Sequence, residues 1–241
     1  DNGMKAEAVI FDKDGTLVDF DAFWVPVAVK ALEDVLAQFQ MEDIPVCKLL
    51  EPLGVRDGVT DINGVFCKGT YEQMGRVVYD VLRGYGCDVS CGEMISVVAD
   101  AFERHADAGE VTPTCPNLAE VLMALKQRNK KLAVVTADNE RITRKCLQKL
   151  GVEELFDKIY VDDGKTPLKP DPYCVEDFLQ RIGLQENSIV VIGDTVTDVL
   201  LARNAGVAVI GLAKTAKNRA VLSPMADAVI PSLSCLLDML E

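Results

Sequence analysis

The sequence predicts an α/β protein: a doubly wound parallel sheet with a helical domain inserted after the first strand. Three observations support this. The apolar run at residues 8–11 has the composition of a parallel strand that is buried on both faces. About ninety residues of helical periodicity follow it without a strand of the same sheet. From Cys115 onward, short apolar runs alternate with amphipathic helices, which is the pattern of successive βα units.

The length of the chain allows two domains. A chain of 241 residues can bury one full core and still carry an insertion. We predict an α/β core at residues 1–18 and 110–241 and a helical domain at residues 19–109. Asp1, Asn2 and Gly3 precede Met4, which we expect to be the natural start of the chain.

The predicted insertion contains three amphipathic helices. Apolar residues recur every four positions over residues 23–39, which predicts the first helix. Residues 74–82 predict a second helix, and residues 94–102 a third with Ser90 as its N-cap. The Gly-rich stretch 54–69 is expected to form a loop with a short helix. No strand of the parallel sheet is predicted in the insertion.

The second half of the chain supplies the other strands of the sheet. Each is a short apolar run bounded by turn residues, and an amphipathic stretch separates it from the next run. The predicted strands are residues 132–135, 159–161, 189–192, 207–210 and 228–230. A short helix rich in leucine closes the chain.

The bulk composition limits partners and compartment. The formal net charge of −13 disfavours nucleic acid, because phosphate contacts need a surface rich in Lys and Arg. Small anionic substrates stay compatible, since they respond to local fields. No apolar run reaches the length of a membrane span, no signal-peptide pattern opens the chain, and the eight cysteines form no CxxC pair. We therefore expect a cytoplasmic protein with reduced thiols and no membrane partner; the sequence leaves monomer or dimer open.

Two aspartates follow the first predicted strand directly. Asp12 lies at the carboxyl end of that strand, where ligands bind in open α/β sheets, and Asp14 lies two residues further on. Gly15 permits a sharp turn after them. Carboxylates this close repel each other, so a proton or a cation has to neutralise one of them. The pair suits a carboxylate nucleophile, an acid/base and a metal ion, although an Asp-rich turn without function has the same local sequence.

Three more segments place polar residues near predicted strand ends. Thr136 offers a hydroxyl before a turn and a helix N-terminus, which suits an anion. Lys169 precedes a rigid proline turn. Asp194 and Asp198 lie four residues apart, so a helix would place them on one face. Each residue alone is also explained as a cap, a turn residue or a solvated charge. Their combination after successive strands is what predicts a catalytic site.

These segments together resemble the four motifs of the haloacid dehalogenase superfamily. The matching segments, in order, are Asp12-Lys13-Asp14-Gly15-Thr16-Leu17, Thr136, Lys169-Pro170 and Gly193-Asp194-Thr195-Val196-Thr197-Asp198. The inserted helices resemble the cap of the phosphoglycolate-phosphatase-like branch. The resemblance implies a Rossmann-like core and a Mg²⁺-dependent phosphatase. Such an enzyme hydrolyses a small phosphorylated metabolite, similar to phosphoglycolate or to a sugar phosphate, through an aspartyl-phosphate.

The resemblance also implies a role for each motif residue. The implied catalytic residues are Asp12 as nucleophile, Asp14 as a protonated acid/base, Thr136 and Lys169. The implied Mg²⁺ ligands are Asp12, the backbone carbonyl of Asp14, Asp194 and Asp198. The candidate substrate-binding residues are Thr136, Ala137, Asp138 and Lys169, with Phe20 and Trp24 from the cap. Lys13, where phosphoglycolate phosphatases often carry an apolar residue, is treated as neutral for activity and speaks against assigning phosphoglycolate as the substrate.

Two other functions stay open at this point. A sugar phosphomutase of the β-phosphoglucomutase type shares the fold and motifs, but that type has a histidine on the first cap helix where this chain has Trp24. The only histidine here, His105, is expected to pack on an apolar helix face near the hinge. A catalytically silent binding protein would have lost motif residues, and all are present. Asp14 disfavours dehalogenase chemistry, whose enzymes lack this second aspartate.

Overall fold

The computed structural model describes residues 3–241, so Asp1 and Asn2, predicted to precede the natural start, lie outside the described residues. The chain divides into two units. The sheet unit comprises the chain up to Asp19 and from Val111 to Glu241, and the helical unit runs from Phe20 to Glu110. No helix within residues 3–241 is long and apolar enough to span a bilayer.

The chain begins the sheet unit with β1 (Ala8–Asp12) and then forms the helical unit. The elements of the helical unit are α1 (Phe20–Gln38), α2 (Cys47–Leu53), β2 (Val55–Arg56), β3 (Val59–Thr60), α3 (Val65–Lys68), α4 (Tyr71–Gly84) and α5 (Cys91–His105). Helix α5 packs against α1 and α4 around a common apolar core. Ser90 caps α5 as predicted, because its Oγ accepts a hydrogen bond from the backbone N–H of Glu93 at 3.1 Å.

The ribbon of β2 and β3 is an addition to the helical insertion that the sequence predicted. The two strands pair in antiparallel fashion through Val55 with Thr60 and Arg56 with Val59. The turn between them is Asp57-Gly58, and both residues have positive φ, 52° and 76°. Asp-Gly is a preferred pair for such a hairpin turn. Strands of two residues are too short to show an alternating apolar pattern, so periodicity could not predict them.

The remainder of the sheet unit alternates helices and strands. Its elements are α6 (Leu118–Gln127), β4 (Lys131–Val135), α7 (Glu140–Lys149), β5 (Lys158–Tyr160), α8 (Tyr173–Ile182), β6 (Ile189–Gly193), α9 (Val196–Ala205), β7 (Ala208–Leu212), α10 (Ala216–Leu222), β8 (Ala228–Ile230) and α11 (Leu236–Met239). Strand β1 and the five strands of this region form one six-stranded parallel sheet in the order β5-β4-β1-β6-β7-β8. The predicted doubly wound parallel sheet is therefore confirmed.

Two apolar layers cover the faces of this sheet. Alternate residues of β1 point to opposite layers: Val9 and Phe11 to one, Ala8 and Ile10 to the other. Helices α6 and α11 contribute to the first layer, and α8 and α9 to the second. Because both faces are covered, every residue of the strand is shielded from water, which explains why β1 is apolar without alternation.

The strand order fixes where a ligand site can form. β1 lies between β4 and β6, and the chain winds outward in one direction through β4 and β5 before crossing to β6. The switch in winding direction therefore lies between β1 and β6. Open α/β sheets bind ligands at the carboxyl ends of the strands at this point. Asp12, the last residue of β1, lies there.

The two segments that connect the sheet unit to the insertion are hydrogen bonded to each other. The backbone N–H of Asp19 donates to the carbonyl of Thr112 at 2.9 Å. The N–H of Thr114 donates to the carbonyl of Leu17 at 3.1 Å. The Thr114 hydroxyl also donates to the carbonyl of Thr16, at 2.6 Å. A short antiparallel stem thus closes the sheet unit at the point where the insertion departs.

Candidate active site

Three strand ends bring the candidate residues to one edge of the sheet. Asp12 closes β1, and its partner in the parallel register is Val135, the last residue of β4. Thr136 therefore follows β4 beside Asp12. Asp194 follows β6, the strand on the other side of β1. Sequence-distant side chains meet because parallel strands end at the same edge.

Asp12, Asp194 and Asp198 form a cluster of carboxylates. One oxygen from each lies within 4.8 Å of the others. Asp12 is 8% exposed and Asp198 only 1%. Asp198 is fixed in the first turn of α9, where its Oδ2 accepts hydrogen bonds from the backbone N–H and the hydroxyl of Thr195, at 3.1 and 3.0 Å.

Two glycines make room for this cluster. Gly15 has a φ of +84°, and a Cβ there would lie 2.0 Å from Oδ2 of Asp194. A Cβ on Gly193 would lie 2.2 Å from Cγ of Asp198. Any side chain at either position would overlap a carboxylate of the cluster. Glycine is therefore required at both positions for lack of space, and at Gly15 also for its backbone conformation.

Lys169 is the cation of the cluster. Its Nζ lies 2.7 Å from Oδ1 of Asp12 and 2.8 Å from Oδ1 of Asp198, and its side chain is almost fully buried. The two carboxylates raise the pKa of Lys169 against the opposing effect of burial. The ammonium group is thus held positive beside Asp12, the predicted nucleophile.

The cluster carries more negative charge than Lys169 offsets. Burial raises the pKa of Asp12 to about 6; the charge of Asp198 adds to this and Lys169 opposes it. Burial, with the charges of Asp12 and Asp198, raises the pKa of Asp194 well above its usual range. Asp12 and Asp194 thus resist joint ionisation, and a cation at this site would stabilise both carboxylates. Carboxylate oxygens are also the hard ligands that Mg²⁺ prefers, so the residues present fit that ion.

The segment after β4 presents a hydroxyl and the start of a helix. Thr136 is buried, and its Oγ1 accepts a hydrogen bond from the backbone N–H of Asp138 at 3.2 Å. Ala137 is exposed. Asn139 caps α7, because its Oδ1 accepts from the N–H of Ile142 at 3.0 Å. This arrangement leaves Thr136 and Ala137 beside the carboxylate cluster, where the resemblance implies phosphoryl contacts.

Lys13, which the sequence analysis treated as neutral for activity, lies in polar surroundings that the sequence did not predict. Its side chain is fully buried, and its Nζ lies 3.0 Å from Oδ1 of Asp14 and 2.7 Å from Oδ2 of Asp138. The two carboxylates raise its pKa although burial lowers it. Burial and the charge of Asp14 raise the pKa of Asp138 to about 7, against the effect of Lys13. The sequence does place this lysine directly after a buried strand. Because lysine is almost never fully buried unless it is paired, its position could have indicated a buried ion pair.

The two predicted cap residues lie in aromatic contacts of the helical unit. The ring of Phe20 meets that of Phe66 edge-on, with centroids 5.6 Å apart, and Trp24 meets Phe23 at 4.9 Å. Their role in substrate binding stays a prediction. His105 makes a polar contact rather than the expected apolar packing: its Nε2 lies 2.5 Å from a carboxylate oxygen of Asp34.

A doubly wound α/β sheet with a buried carboxylate cluster at its switch point defines the class of α/β enzymes that bind ligands at their strand ends. Residues 6–206 match the family model for haloacid dehalogenase-like hydrolases, and the chain belongs to this family. The resemblance to this family is therefore confirmed.

Two relatives and one solved structure illustrate the similarity. Pyrophosphatase PpaX of Bacillus velezensis is 28% identical over 91% of this chain and 88% of its own length. A phosphoglycolate phosphatase of Psychrobacter arcticus is 27% identical over 87% of this chain and 84% of its own. A predicted phosphoglycolate phosphatase from Haemophilus somnus shares the fold, with a TM-score of 0.71, 19% identity and 97% of both chains covered. The predicted enzyme class, a phosphatase of the haloacid dehalogenase type, is confirmed.

Proposed function

We propose that this chain is a Mg²⁺-dependent phosphatase that hydrolyses a small phosphorylated metabolite through an aspartyl-phosphate on Asp12. The contact of Asp12 with Lys169 inside the buried carboxylate cluster carries the proposal. An oxygen of Asp12 that acts as nucleophile at the end of the central strand would have a fixed positive charge beside it. Phosphoryl transfer depends mainly on such positioning and charge stabilisation.

The reaction would proceed in two steps. Asp12 would attack the phosphorus atom as the bond to the leaving oxygen breaks, while Asp14 gives its proton to that oxygen. Asp14, now ionised, would then take a proton from the water that attacks the aspartyl-phosphate. Phosphate and the ionised Asp12 are released, and Asp14 is protonated again. Lys169, Thr136 and the N–H of Ala137 would hold the phosphoryl oxygens.

The metal ligands would be Asp12, the backbone carbonyl of Asp14, Asp194 and Asp198. When bound, Mg²⁺ supplies positive charge to the phosphoryl oxygens and to the carboxylates of Asp12 and Asp194, whose pKa values are raised by burial and by mutual repulsion. Asp198 would act directly or through a water, because its Oδ1 and Oδ2 already bind Lys169 and Thr195.

A small metabolite is the proposed substrate class. The names of the relatives, pyrophosphatase and phosphoglycolate phosphatase, indicate substrates of that size. Phe20 and Trp24 of the helical unit would contribute contacts that select the substrate. We also propose a cytoplasmic location. The buried thiols of Cys115, Cys146 and Cys174 form no disulfide, as expected in a reducing compartment.

Phosphate release tests this proposal. Purified protein is incubated with phosphoglycolate, pyrophosphate, sugar phosphates and nucleotides, with Mg²⁺ and with EDTA. Mg²⁺-dependent release of phosphate from one preferred substrate would support the proposal. The Asp12→Asn variant should release no phosphate. Asp238→Asn, which changes an exposed aspartate of the same unit, is the matched control and should keep full activity. A sugar phosphate that is isomerised faster than it is hydrolysed would favour the phosphomutase instead.

A further inference from the structure

A second charge cluster, with a buried lysine and two partly buried carboxylates, lies beside the proposed catalytic one. It consists of Lys13, Asp14 and Asp138. The proposed reaction uses only Asp14, and the sequence made Asp138 a candidate substrate-binding residue. We propose that Lys13 and Asp138 form a clamp that positions the carboxyl group of Asp14 for proton transfer to the leaving oxygen. This inference rests on the proposed phosphatase function and assigns a positioning role to two residues.

The contacts of Lys13 define the clamp. Its side chain is 0% exposed, so the ammonium group has no access to solvent. Its Nζ contacts Oδ1 of Asp14 at 3.0 Å and Oδ2 of Asp138 at 2.7 Å. One ammonium group therefore joins the turn after β1 to the turn after β4. The two carboxylates also contact each other.

Asp138 is itself held in place, which makes it a fixed end of the clamp. Its backbone N–H donates to Oγ1 of Thr136 at 3.2 Å, and its carbonyl accepts from the N–H of Asp162 at 2.8 Å. The next residue, Asn139, caps α7. Asp138 is thus hydrogen bonded to Thr136, directly after β4, and to the loop after β5, and it immediately precedes a helix cap. Asp14, on the turn after β1, is the end that the clamp positions.

Positioning explains this cluster better than stability does. A buried ion pair gives little or no net stability over apolar side chains of similar volume, because both charges lose their hydration. The hydrogen bond that Oδ1 of Asp14 accepts from Nζ of Lys13 does, however, fix the direction of the Asp14 carboxyl group, and a protonated carboxyl group can accept it through its carbonyl oxygen. A displacement of about 1 Å of such a group can cost about 100-fold in rate.

The role predicts a dependence on the leaving group. An alkyl phosphate releases a basic alkoxide, which needs the proton of Asp14. 2,4-Dinitrophenyl phosphate releases a weakly basic phenolate, which does not. A clamp variant should therefore lose kcat/KM on the alkyl substrate alone. The ratio kcat/KM reports the steps up to the first bond cleavage, so the later hydrolysis of the aspartyl-phosphate, common to both substrates, does not enter.

The experiment compares Lys13→Met and Asp138→Asn with the wild type on an alkyl phosphate that it hydrolyses and on 2,4-dinitrophenyl phosphate. We expect kcat/KM to fall by about 10- to 100-fold on the alkyl phosphate and by less than about 3-fold on the dinitrophenyl ester. Lys149→Met, an exposed lysine of α7, is the control for loss of a positive charge. Circular dichroism melting checks folding, and Asp138→Asn serves if Lys13→Met does not fold, because it leaves Lys13 paired with Asp14.

Equal losses on both substrates, or no loss on either, would overturn the clamp. Failure of the proposed function has a different signature. In that case the wild type releases phosphate from neither ester, or Asp12→Asn stays active. The two results are therefore distinguishable within one set of proteins.

Discussion

Replacing Asp12 by asparagine should abolish turnover and, without metal, make the protein more stable at neutral pH. The nucleophilic carboxylate is lost while the volume of the side chain is kept. The stability gain follows from the surroundings of Asp12, which is 8% exposed and lies among Asp194 and Asp198. Even with Lys169 at 2.7 Å, burial raises the pKa of Asp12 from 3.8 to about 6.

The size of the effect follows from this shift in pKa. A shift of about two units corresponds to about 3 kcal/mol, at about 1.4 kcal/mol per unit. Because the folded-state pKa of Asp12 is raised, its contribution to stability is fully present below about pH 4 and is lost as the pH rises through about 6. Between these two pH values, the free energy of unfolding of the wild type should therefore fall by up to about 3 kcal/mol. That of Asp12→Asn should not fall in this way. A somewhat smaller gain is expected because asparagine forfeits the ion pair with Lys169.

Urea denaturation in EDTA, followed by circular dichroism at pH 4, 6 and 8, measures this difference. The free energies of unfolding should converge at pH 4 and separate in favour of the variant by pH 8. Addition of Mg²⁺ should stabilise the wild type more than the variant, since a ligand that binds only the folded state adds its binding free energy. A variant that is less stable than the wild type at pH 8, or a difference independent of pH, would refute the electrostatic account of the cluster.

Three further perturbations test other parts of the structure. Asp194→Asn should raise the Mg²⁺ concentration for half-maximal activity by at least about 10-fold, measured by metal titration, because a proposed ligand is removed; an unchanged titration would exclude Asp194 from the metal site. Gly15→Ala should lower the free energy of unfolding, measured in urea, by about 1–3 kcal/mol more than Gly183→Ala does. Both glycines have positive φ, but only a Cβ at position 15 would meet Asp194. Equal losses would contradict the steric role of Gly15. Phe178→Ala should lower the free energy of unfolding by about 3–5 kcal/mol, since this ring is fully buried beneath the sheet; a loss below about 1 kcal/mol would argue against that packing.

The strands of the sheet were predictable because burial on both faces leaves an apolar run in the sequence. β1, β4 and β6 show this clearly. Helix α10 was not predicted, because Leu222 is its one buried residue and it has no apolar stripe. β7 was predicted at residues 207–210, two residues short at its carboxyl end. Gly211 suggests a turn, but in the structure it packs closely on Leu222 within the strand.

The same contrast holds for the candidate site. The carboxylates at strand ends could be brought together from the sequence, because parallel strands share one edge. The pairing of Lys13 could not, since Asp138 lies 125 residues away and nothing in the local pattern tells which way the lysine points. Side-chain direction in a turn depends on backbone dihedral angles that tertiary contacts decide. The aromatic contacts of Phe20 and Trp24 have the same origin.

The hydrogen-bonded stem between the two chain crossings makes the insertion separable. The N–H of Asp19 and the carbonyl of Thr112 are 2.9 Å apart, so a two-residue hairpin turn could join the chain there. Such a shortened chain would keep all six parallel strands and every group of the Asp12 cluster, and it would lack Phe20 and Trp24. Domain insertions are tolerated where chain ends lie close together. The groups proposed for catalysis and those proposed for substrate selection thus belong to separate units of the chain, and an unrelated domain could be inserted at the same stem.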